Sequence, residues 1–416
     1  MSYFPSPDDV SKAKHNINHV VKETPLEESR ALRKRYGASI FFKREDLQQV
    51  RSYKIRGAYN KISSLSEDEK EKGVVCASAG NHAQGVAFSC SKLKIRGFIY
   101  MPATTPRQKV NQVRLFGGKY VEIVLKGDTF DDTSVIAEAF AKETDRQVIH
   151  PFDDEKIIEG QGTVGLEIYQ QSKAKIDYVF IPVGGGGLIA GAGSYLKTLS
   201  PDTKIIGVEP EGAASMKAAL DAGVPVKLEQ IDKFVDGASV KQCGKLNVEI
   251  CKSLVDQIIC IPEGKVCTTI LELYNDKGII VEPAGALSIA ALDYMKDEIK
   301  GKNVVCVISG GNNDITRTEE IRERSMIYEG IKHYFIVNIP QRAGALKDFL
   351  ENVLAPTDDI THFEYAKKTH RERGPIVIGI EVVKAGEIKH LMANMRKMNI
   401  EFEYLNDKPS FLEIFI

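Results

Sequence analysis

The chain lacks an excess of either charge and any cysteine spacing typical of a metal site. Its 416 residues include 56 Lys and Arg against 57 Asp and Glu, which leaves a formal net charge of -1. This balance does not favour nucleic acid or an anionic membrane as a partner. The seven cysteines form no C-x-x-C pair, and several lie in apolar runs such as "NVVCVIS". We therefore expect reduced, buried thiols.

Long apolar segments are also missing. The N-terminal "MSYFPSPDDVSKAKHN" has no apolar core typical of a signal peptide, and no run reaches the length of a membrane span. The chain also has no G-x-x-x-x-G-K-[ST] match, which argues against a P-loop nucleotide site. These absences predict a cytoplasmic protein that binds neither a membrane nor nucleic acid.

Short β-branched runs alternate with amphipathic segments between residues 73 and 310. This alternation predicts βαβ units, parallel sheets and a doubly wound α/β fold. Nearly every predicted strand ends in Gly, Ser or Asn, at the edge of the sheet where such folds bind ligands. The predicted helices cover residues 128–143, 155–172, 188–198, 213–221 and 283–300.

The pattern changes near residue 326. From "HYFIVNIP" onward the predicted order is strand, helix, strand, strand, helix, strand. A βαββαβ order is typical of a ferredoxin-like α+β domain. We therefore expect a first domain over residues 1–325 and a second over residues 326–416.

A glycine loop, "IPVGGGGLIAGAG" at 181–193, joins a predicted strand to a predicted helix. Consecutive glycines let backbone N–H groups approach an anion, and a helix N-terminus adds a partial positive charge. The same loop also fits the permissive dinucleotide fingerprint, with Gly185, Gly187, Ala190 and the acidic Glu209. An NAD-dependent oxidoreductase using residues 181–209 is therefore an alternative interpretation.

The turn "CASAGNHAQGVA" at 76–87 is rich in small residues. Ser78, Gly80, Asn81 and His82 offer backbone N–H groups and an amide at a helix start, which suits a carboxylate ligand. The simpler alternative is a helix capped by Asn81 or Ser78.

Three further side chains stand out at strand and helix ends. Ser309 in "VISGGNND" could hydrogen-bond a ring nitrogen without placing a charge there. Glu282 precedes Pro283, which suits the start of a helix, and helix capping explains it as well as function does. Lys54 in "VRSYKIRGAYNK" would, on its own, be interpreted as a solvated surface amine.

Taken together, "SYKIRGA", "SAGNHAQG", "GGGGL" and "SGGN" resemble the motifs of the fold-type II pyridoxal-phosphate (PLP) enzymes. The resemblance implies two doubly wound α/β subdomains, with a small one at about residues 50–150 inserted in the larger. Within this family the chain is most similar to the threonine dehydratases, and its C-terminal segment to their ACT-like regulatory domain. A dehydrogenase would give no reason for Lys54 or for the Asn81 turn.

The resemblance implies a role for each motif. Lys54 would bind PLP covalently and then act as the catalytic base, and the turn at 78–82 would hold the substrate carboxylate. A neutral serine at the pyridine nitrogen suits β-elimination better than transamination. The implied cofactor-binding residues are Lys54, Tyr53, Asn81, Gly184, Gly185, Gly186, Gly187, Leu188, Gly237, Glu282 and Ser309. The implied substrate-binding residues are Ser78, Ala79, Gly80, Asn81 and His82.

Two positions separate this chain from related enzymes. Ala79 stands where racemases of the family carry a serine, so we expect weak racemisation. The relatives' divalent-metal site uses a glutamate with an aspartate six residues later. Here Glu209 is followed by Ser215, so we predict no metal.

The implied reaction converts L-threonine to 2-oxobutanoate and ammonia, and L-serine to pyruvate. The ACT-like segment implies feedback inhibition by isoleucine, opposed by valine, in a homotetramer. Two alternatives remain at this point: a catabolic dehydratase, and a C-terminal domain that only assembles subunits.

Overall fold

The computed structural model describes residues 3–365 and 372–408. The chain packs as two units, Met1–Asp314 and Ile315–Ile416. Residues 366–371 and 409–416 of the predicted second domain lie outside the described part. Helix α14 (Thr318–Tyr328), which includes the predicted boundary at 325 and 326, belongs to the second unit.

The first unit alternates strands and helices as the sequence predicts. Its helices are α1 (Pro7–Ile17), α2 (Arg30–Tyr36), α3 (Lys54–Ser63), α4 (Glu67–Lys72), α5 (Asn81–Leu93), α6 (Arg107–Gly117), α7 (Phe130–Glu143), α8 (Glu155–Gln171), α9 (Gly187–Leu199), α10 (Ser215–Ala222), α11 (Lys245–Leu254), α12 (Glu263–Lys277) and α13 (Pro283–Ala290). Its strands are β1 (Leu26–Glu28), β2 (Ser39–Arg44), β3 (Val74–Ala77), β4 (Gly97–Met101), β5 (Val121–Leu125), β6 (Gln147–Val148), β7 (Tyr178–Pro182), β8 (Lys204–Pro210), β9 (Gln257–Ile261) and β10 (Asn303–Ile308).

Two sheets organise the first unit. The larger has the order β1-β2-β10-β7-β8-β9 and is parallel except for the β1–β2 pair. The smaller, β5-β4-β3-β6, is parallel and is formed by chain that lies between β2 and β7 of the larger sheet. Strands buried on both faces, such as the continuous apolar run of β7, are typical of parallel sheets covered by helices. The predicted doubly wound α/β fold is confirmed.

Three of the predicted motifs follow the carboxyl ends of parallel strands in these sheets. β3 ends just before Ser78, β7 just before Val183 and the glycine loop, and β10 just before Ser309. One predicted helix differs, because the segment 283–300 is α-helical only to Ala290 and continues as a 3₁₀ turn over Ala291–Met295.

The second unit is a small α+β domain. After α14 it contains β11 (Lys332–Pro340), α15 (Ala345–Val353), β12 (Asp359–Tyr365), β13 (Arg373–Glu381), α16 (Ile388–Lys397) and β14 (Glu401–Tyr404). Its antiparallel sheet has the order β12-β13-β11-β14, which is the ferredoxin-like order expected from the sequence. Apolar side chains of the sheet and of helices α15 and α16 form the core of this unit, which includes Phe335, Phe349, Ile378 and Met395.

All seven cysteines are free thiols, six of them buried and Cys260 half-buried, as the sequence predicts. No helix within residues 3–365 and 372–408 is both long and apolar enough to cross a bilayer.

Candidate active site

Lys54 is the first residue of α3, and backbone hydrogen bonds hold the loop before it against the end of β10. The Tyr53 N–H donates to the Ser309 carbonyl at 3.1 Å, and Ser52 forms a β-bridge with Gly310. The Gly311 N–H donates to the Arg51 carbonyl at 2.9 Å. The local fold therefore places Lys54 beside Ser309, although the two are far apart in sequence.

The Lys54 amine lies in a confined, largely apolar place. Its Nζ donates to the Pro151 carbonyl at 2.7 Å and lies 5.5 Å from the Tyr53 ring centre and 5.9 Å from the Phe152 ring centre. Burial lowers the pKa of Lys54 to about 8, although the Glu282 carboxylate acts in the opposite direction. A lysine in such a site is a competent nucleophile and base near neutral pH. Lys54 is therefore not a solvated surface amine.

Asn81 and Glu282 form one hydrogen-bonded group. The Asn81 Nδ2 donates to both Glu282 oxygens, at 2.7 and 2.9 Å. The Asn312 Nδ2 donates to the Asn81 Oδ1 at 2.7 Å and to the Val50 carbonyl at 2.8 Å. Both ends of the Asn81 amide are thus held, and its orientation is fixed.

Glu282 does not cap α13, although it occupies the N-cap position of that helix. Its carboxylate is buried and lies against Gly237 and Gly310. Burial raises the pKa of Glu282 to about 7, and the Asn81 hydrogen bond opposes that shift. The capping interpretation of Glu282 is therefore wrong. The capping interpretation of the Asn81 turn is wrong as well, because Gly80 is the N-cap of α5 and no side chain caps that helix.

The glycine loop ends at the N-terminus of α9, where the first N–H groups have no acceptor within the helix. The Ala190 N–H makes the first intrahelical bond, to the Gly186 carbonyl. The N–H groups of Gly187 and Leu188 precede it, and N–H groups in this position of a helix can bind an anion. The Leu188 side chain is buried in the core, so only its backbone can serve this site.

Protein packing also requires the glycines of this loop. A Cβ at Gly184 would lie 3.0 Å from Ala238, and one at Gly185 would lie 2.2 Å from the Phe152 ring. Gly186 has a φ of +94°, and a Cβ at Gly187 would lie 2.9 Å from the Phe152 carbonyl oxygen. The sequence favoured an anion as the reason for the four glycines, and packing adds a steric reason for each.

The turn at 78–82 presents mainly backbone. Ser78, Ala79, Gly80 and Asn81 are half-buried, and the Gly80 N–H donates to Ser78 Oγ at 3.3 Å. The His82 side chain is buried and its Nε2 hydrogen-bonds the Ile149 carbonyl at 2.8 Å. Burial and the nearby Lys54 charge lower the pKa of His82 to about 3, so the ring is neutral. His82 can therefore serve a ligand here only through its backbone.

Sequence reasoning missed the segment "HPFDD", which follows β6 and crosses the site. Pro151 accepts the Lys54 hydrogen bond, and Phe152 covers Gly185. The Asp153 carboxylate accepts N–H groups from the first turn of α11, and Asn247 of that helix donates to the Gly185 carbonyl at 2.8 Å. Its position just after β6, at the carboxyl end of a strand of the parallel sheet, was the signal that could have identified it.

The dinucleotide interpretation of this loop fails at Glu209. Its two carboxylate oxygens accept the Met216 and Lys217 N–H groups, at 2.7 and 2.8 Å, at the start of α10. Glu209 therefore caps a helix and is not free to bind a ribose. Ser215, which stands where the relatives' metal site has an aspartate, contacts Cys243 Sγ through its hydroxyl at 3.2 Å.

The residues present fit PLP on three counts. Lys54 supplies an amine of lowered pKa, the loop before α9 supplies N–H groups for a phosphate, and Ser309 supplies a hydroxyl. Ser309 is buried directly after β10, where its hydroxyl could hydrogen-bond a ring nitrogen. Ala238 packs against Gly184, while the neighbouring Gly237 packs against Glu282, so the same loop borders both halves of the site.

Comparison with known families supports this assignment over most of the chain. A family described as "Pyridoxal-phosphate dependent enzyme" matches residues 17–310. A second family, described as "C-terminal regulatory domain of Threonine dehydratase", matches residues 323–415.

Individual relatives agree with both matches. The chain is 54% identical to the biosynthetic L-threonine dehydratase of Halalkalibacterium halodurans, over 98% of this chain and 99% of that protein. The processed threonine deaminase isoform 2 of Solanum lycopersicum is 40% identical, with a TM-score of 0.72 over 78% of this chain and 96% of its own. A threonine deaminase from T.th. is 36% identical, with a TM-score of 0.70 over 75% of this chain and 99% of its own. The chain therefore belongs to the pyridoxal-phosphate-dependent threonine dehydratases of the biosynthetic type.

Proposed function

We propose that the chain deaminates L-threonine to 2-oxobutanoate and ammonia, and L-serine to pyruvate. The observation that carries this proposal is the Lys54 amine, whose pKa is about 8 and which lies beside a glycine loop able to hold a phosphate. When bound, PLP supplies an electron sink for the carbanion that forms at the substrate Cα.

Lys54 has two tasks in this proposal. Its amine holds the cofactor until an amino acid displaces it, and it then takes the proton from the substrate Cα. A neutral amine is required for the second task, and burial favours the neutral form of Lys54. The Pro151 carbonyl, 2.7 Å from Nζ, gives the displaced amine an acceptor that keeps it near the site.

The turn at 78–82 would bind the substrate carboxylate through backbone N–H groups and the Ser78 hydroxyl. Asn81, held between Glu282 and Asn312, would present one amide edge to the cofactor's ring hydroxyl. Tyr53 and Gly237 would border the two ring faces, and Ser309 would hydrogen-bond the pyridine nitrogen. Ala79 carries no proton donor, so we expect elimination to exceed racemisation.

The second unit supports a regulatory role. The family matched at residues 323–415 is described as regulatory. The ferredoxin-like sheet of the second unit has a hydrophobic core of its own. We propose that it binds isoleucine as a feedback inhibitor, opposed by valine, and that the enzyme is a cytoplasmic homotetramer. A catabolic dehydratase is the second candidate, but the relative from Halalkalibacterium halodurans is named as biosynthetic.

The test is 2-oxobutanoate formation from threonine by the PLP-loaded protein, with and without isoleucine. We expect turnover that isoleucine lowers and that Lys54→Ala abolishes even when PLP still binds. Turnover without any isoleucine effect would contradict the biosynthetic proposal and leave the lyase intact. A protein that binds NADH, takes up no PLP and converts no threonine would contradict both.

A further inference from the structure

Arg56 lies two residues after Lys54 in α3, and its side chain is fully buried. A buried guanidinium is costly unless every donor is paired. Its Nε and Nη2 donate to the Glu45 carboxylate, both at 2.8 Å. Its Nη1 and Nη2 donate to the Glu167 carboxylate at 2.8 and 2.7 Å, and Nη1 also donates to Thr163 Oγ1 at 3.0 Å. These contacts use all the N–H donors of the guanidinium.

The two carboxylates that hold Arg56 are themselves fixed by other elements. Glu167 also accepts hydrogen bonds from the Lys43 Nζ of β2 at 2.7 Å and from the Lys14 Nζ of α1 at 2.6 Å. Glu45 accepts the Thr24 hydroxyl at 2.5 Å. We call Arg56, Glu45, Thr163, Glu167 and Lys43 the Arg56 cluster. It connects the first turn of α3 to α8 and to the larger sheet.

Close backbone packing holds the same turn from two other sides. A Cβ at Gly160 of α8 would lie 2.6 Å from the Gly57 Cα. A Cβ at Gly85 of α5 would lie 3.2 Å from the Lys54 carbonyl carbon. Helices that approach this closely leave the Lys54 backbone little room to shift.

We propose that Arg56 is a positioning residue for Lys54. By joining the first turn of α3 to Glu45 and Glu167, it fixes the Lys54 backbone, so that the amine changes position by side-chain rotation alone. The proposal rests on the proposed function, in which one amine must serve first as tether and then as base. Geometry rather than charge carries this role, because the charges of Arg56 and Lys43 balance those of Glu45 and Glu167.

The test is Arg56→Lys, which keeps the charge but replaces the planar fork with a single ammonium group. We expect kcat for threonine to fall about 10- to 100-fold, with KM changed less than about 3-fold, because a small misplacement of a reacting group is that costly. A second readout needs no substrate. The pH midpoint of the visible absorbance of bound PLP should move by about half a unit or more, since the amine's surroundings change.

Arg44→Lys is the matched control. Arg44 also forms a fork, with Nε and Nη2 donating to Asp46 at 2.9 and 2.7 Å, but none of the hydrogen bonds described for it reaches α3. The same substitution there should leave kcat within about 2-fold of wild type and the absorbance midpoint unchanged.

Glu45→Gln serves as a second variant, because it keeps the size of one partner but replaces one of the two oxygens that accept from Arg56 with an NH2 group. We expect kcat and the absorbance midpoint to change in the same direction as in Arg56→Lys, but by less. If Arg56→Lys does not fold, the Glu45→Gln result tests the proposal in its place. The proposal is overturned if these variants lower only the melting temperature while kcat and the absorbance midpoint match the wild type. It is also overturned if Arg44→Lys changes both readouts equally. A wild-type protein that binds PLP but converts no threonine would instead contradict the proposed function, and the absorbance midpoint would still test the cluster.

Discussion

At the scale of single residues, burial changes the pKa of Lys54 and Glu282 in opposite directions. It lowers the pKa of Lys54 to about 8 and raises that of Glu282 to about 7. Both shifts favour the neutral form, as desolvation does for any ionisable group. The sequence predicted candidate residues for the site, but their ionisation depends on packing between segments that are far apart along the chain.

The lowered pKa of Lys54 predicts how cofactor-free protein takes up PLP. Only the neutral amine attacks an aldehyde, and with a pKa near 8 about half of Lys54 is neutral at pH 8. The rate of PLP uptake, measured by visible absorbance, should therefore rise with a midpoint near pH 8. In Glu282→Gln the midpoint should be lower, because the Glu282 carboxylate raises the Lys54 pKa. A rate that still climbs towards pH 10 would mean that the amine is solvated.

The raised pKa of Glu282 predicts how stability depends on pH. The folded-state pKa, about 7, exceeds the ordinary value of 4.5, so the stabilisation from the protonated form is complete below about pH 4.5 and is lost as pH rises through 7. In Glu282→Gln this loss should be absent. Relative to wild type, the cofactor-free variant should gain roughly 2.5 kcal/mol of unfolding free energy between pH 5 and pH 8. Urea unfolding at both pH values measures it, and parallel pH dependence of the two proteins would contradict it.

At the scale of elements, the glycine loop shows what sequence could and could not predict. Its position between β7 and α9 followed from the alternation of strands and helices. Its contact with Phe152 did not, because "HPFDD" lies some distance earlier and carries no motif of its own. Glu282 is similar, since its place before Pro283 indicated a helix start, whereas its side chain turns to Asn81 on another helix. Local pattern predicts elements, while contacts between elements need the fold.

The contact between Gly185 and Phe152 makes Gly185→Ala a defined steric test. The new Cβ would lie 2.2 Å from the ring, so the ring must move, at a cost of about 1–3 kcal/mol for overpacking. We expect weaker PLP binding and a lower melting temperature. In the double variant that also carries Phe152→Ala, the clashing ring is gone. Gly185→Ala should therefore add much less destabilisation there than it does in the wild-type chain.

Gly386→Ala is the control for that experiment, since a Cβ there meets nothing within 4 Å. It should leave the melting temperature and PLP affinity close to those of the wild type. If the double variant is as impaired as the sum of its single changes, the loss arises from the loop backbone and not from the Phe152 ring.

At the scale of the whole molecule, the sequence predicted the class of each unit because both depend on periodicity. Parallel strands gave continuous apolar runs, and the ferredoxin-like unit gave a βαββαβ order that the sheet confirms. The packing between α3, α5 and α8 could not be predicted. It depends on which glycines meet, such as Gly57 and Gly160, and a single sequence does not show which pairs approach.

The division into two units predicts that catalysis and regulation can be separated. Every residue assigned to the site lies within Met1–Asp314, and the two solved relatives match 75–78% of this chain over nearly their whole length. A chain ending at Asp314 should therefore fold, bind PLP and convert threonine, because both of its sheets have cores of their own. Isoleucine should no longer inhibit it, and calorimetry should detect isoleucine binding to the full chain only. Inhibition that persists in the shortened chain would place the effector site in the first unit, and an unfolded product would show that this unit depends on the second.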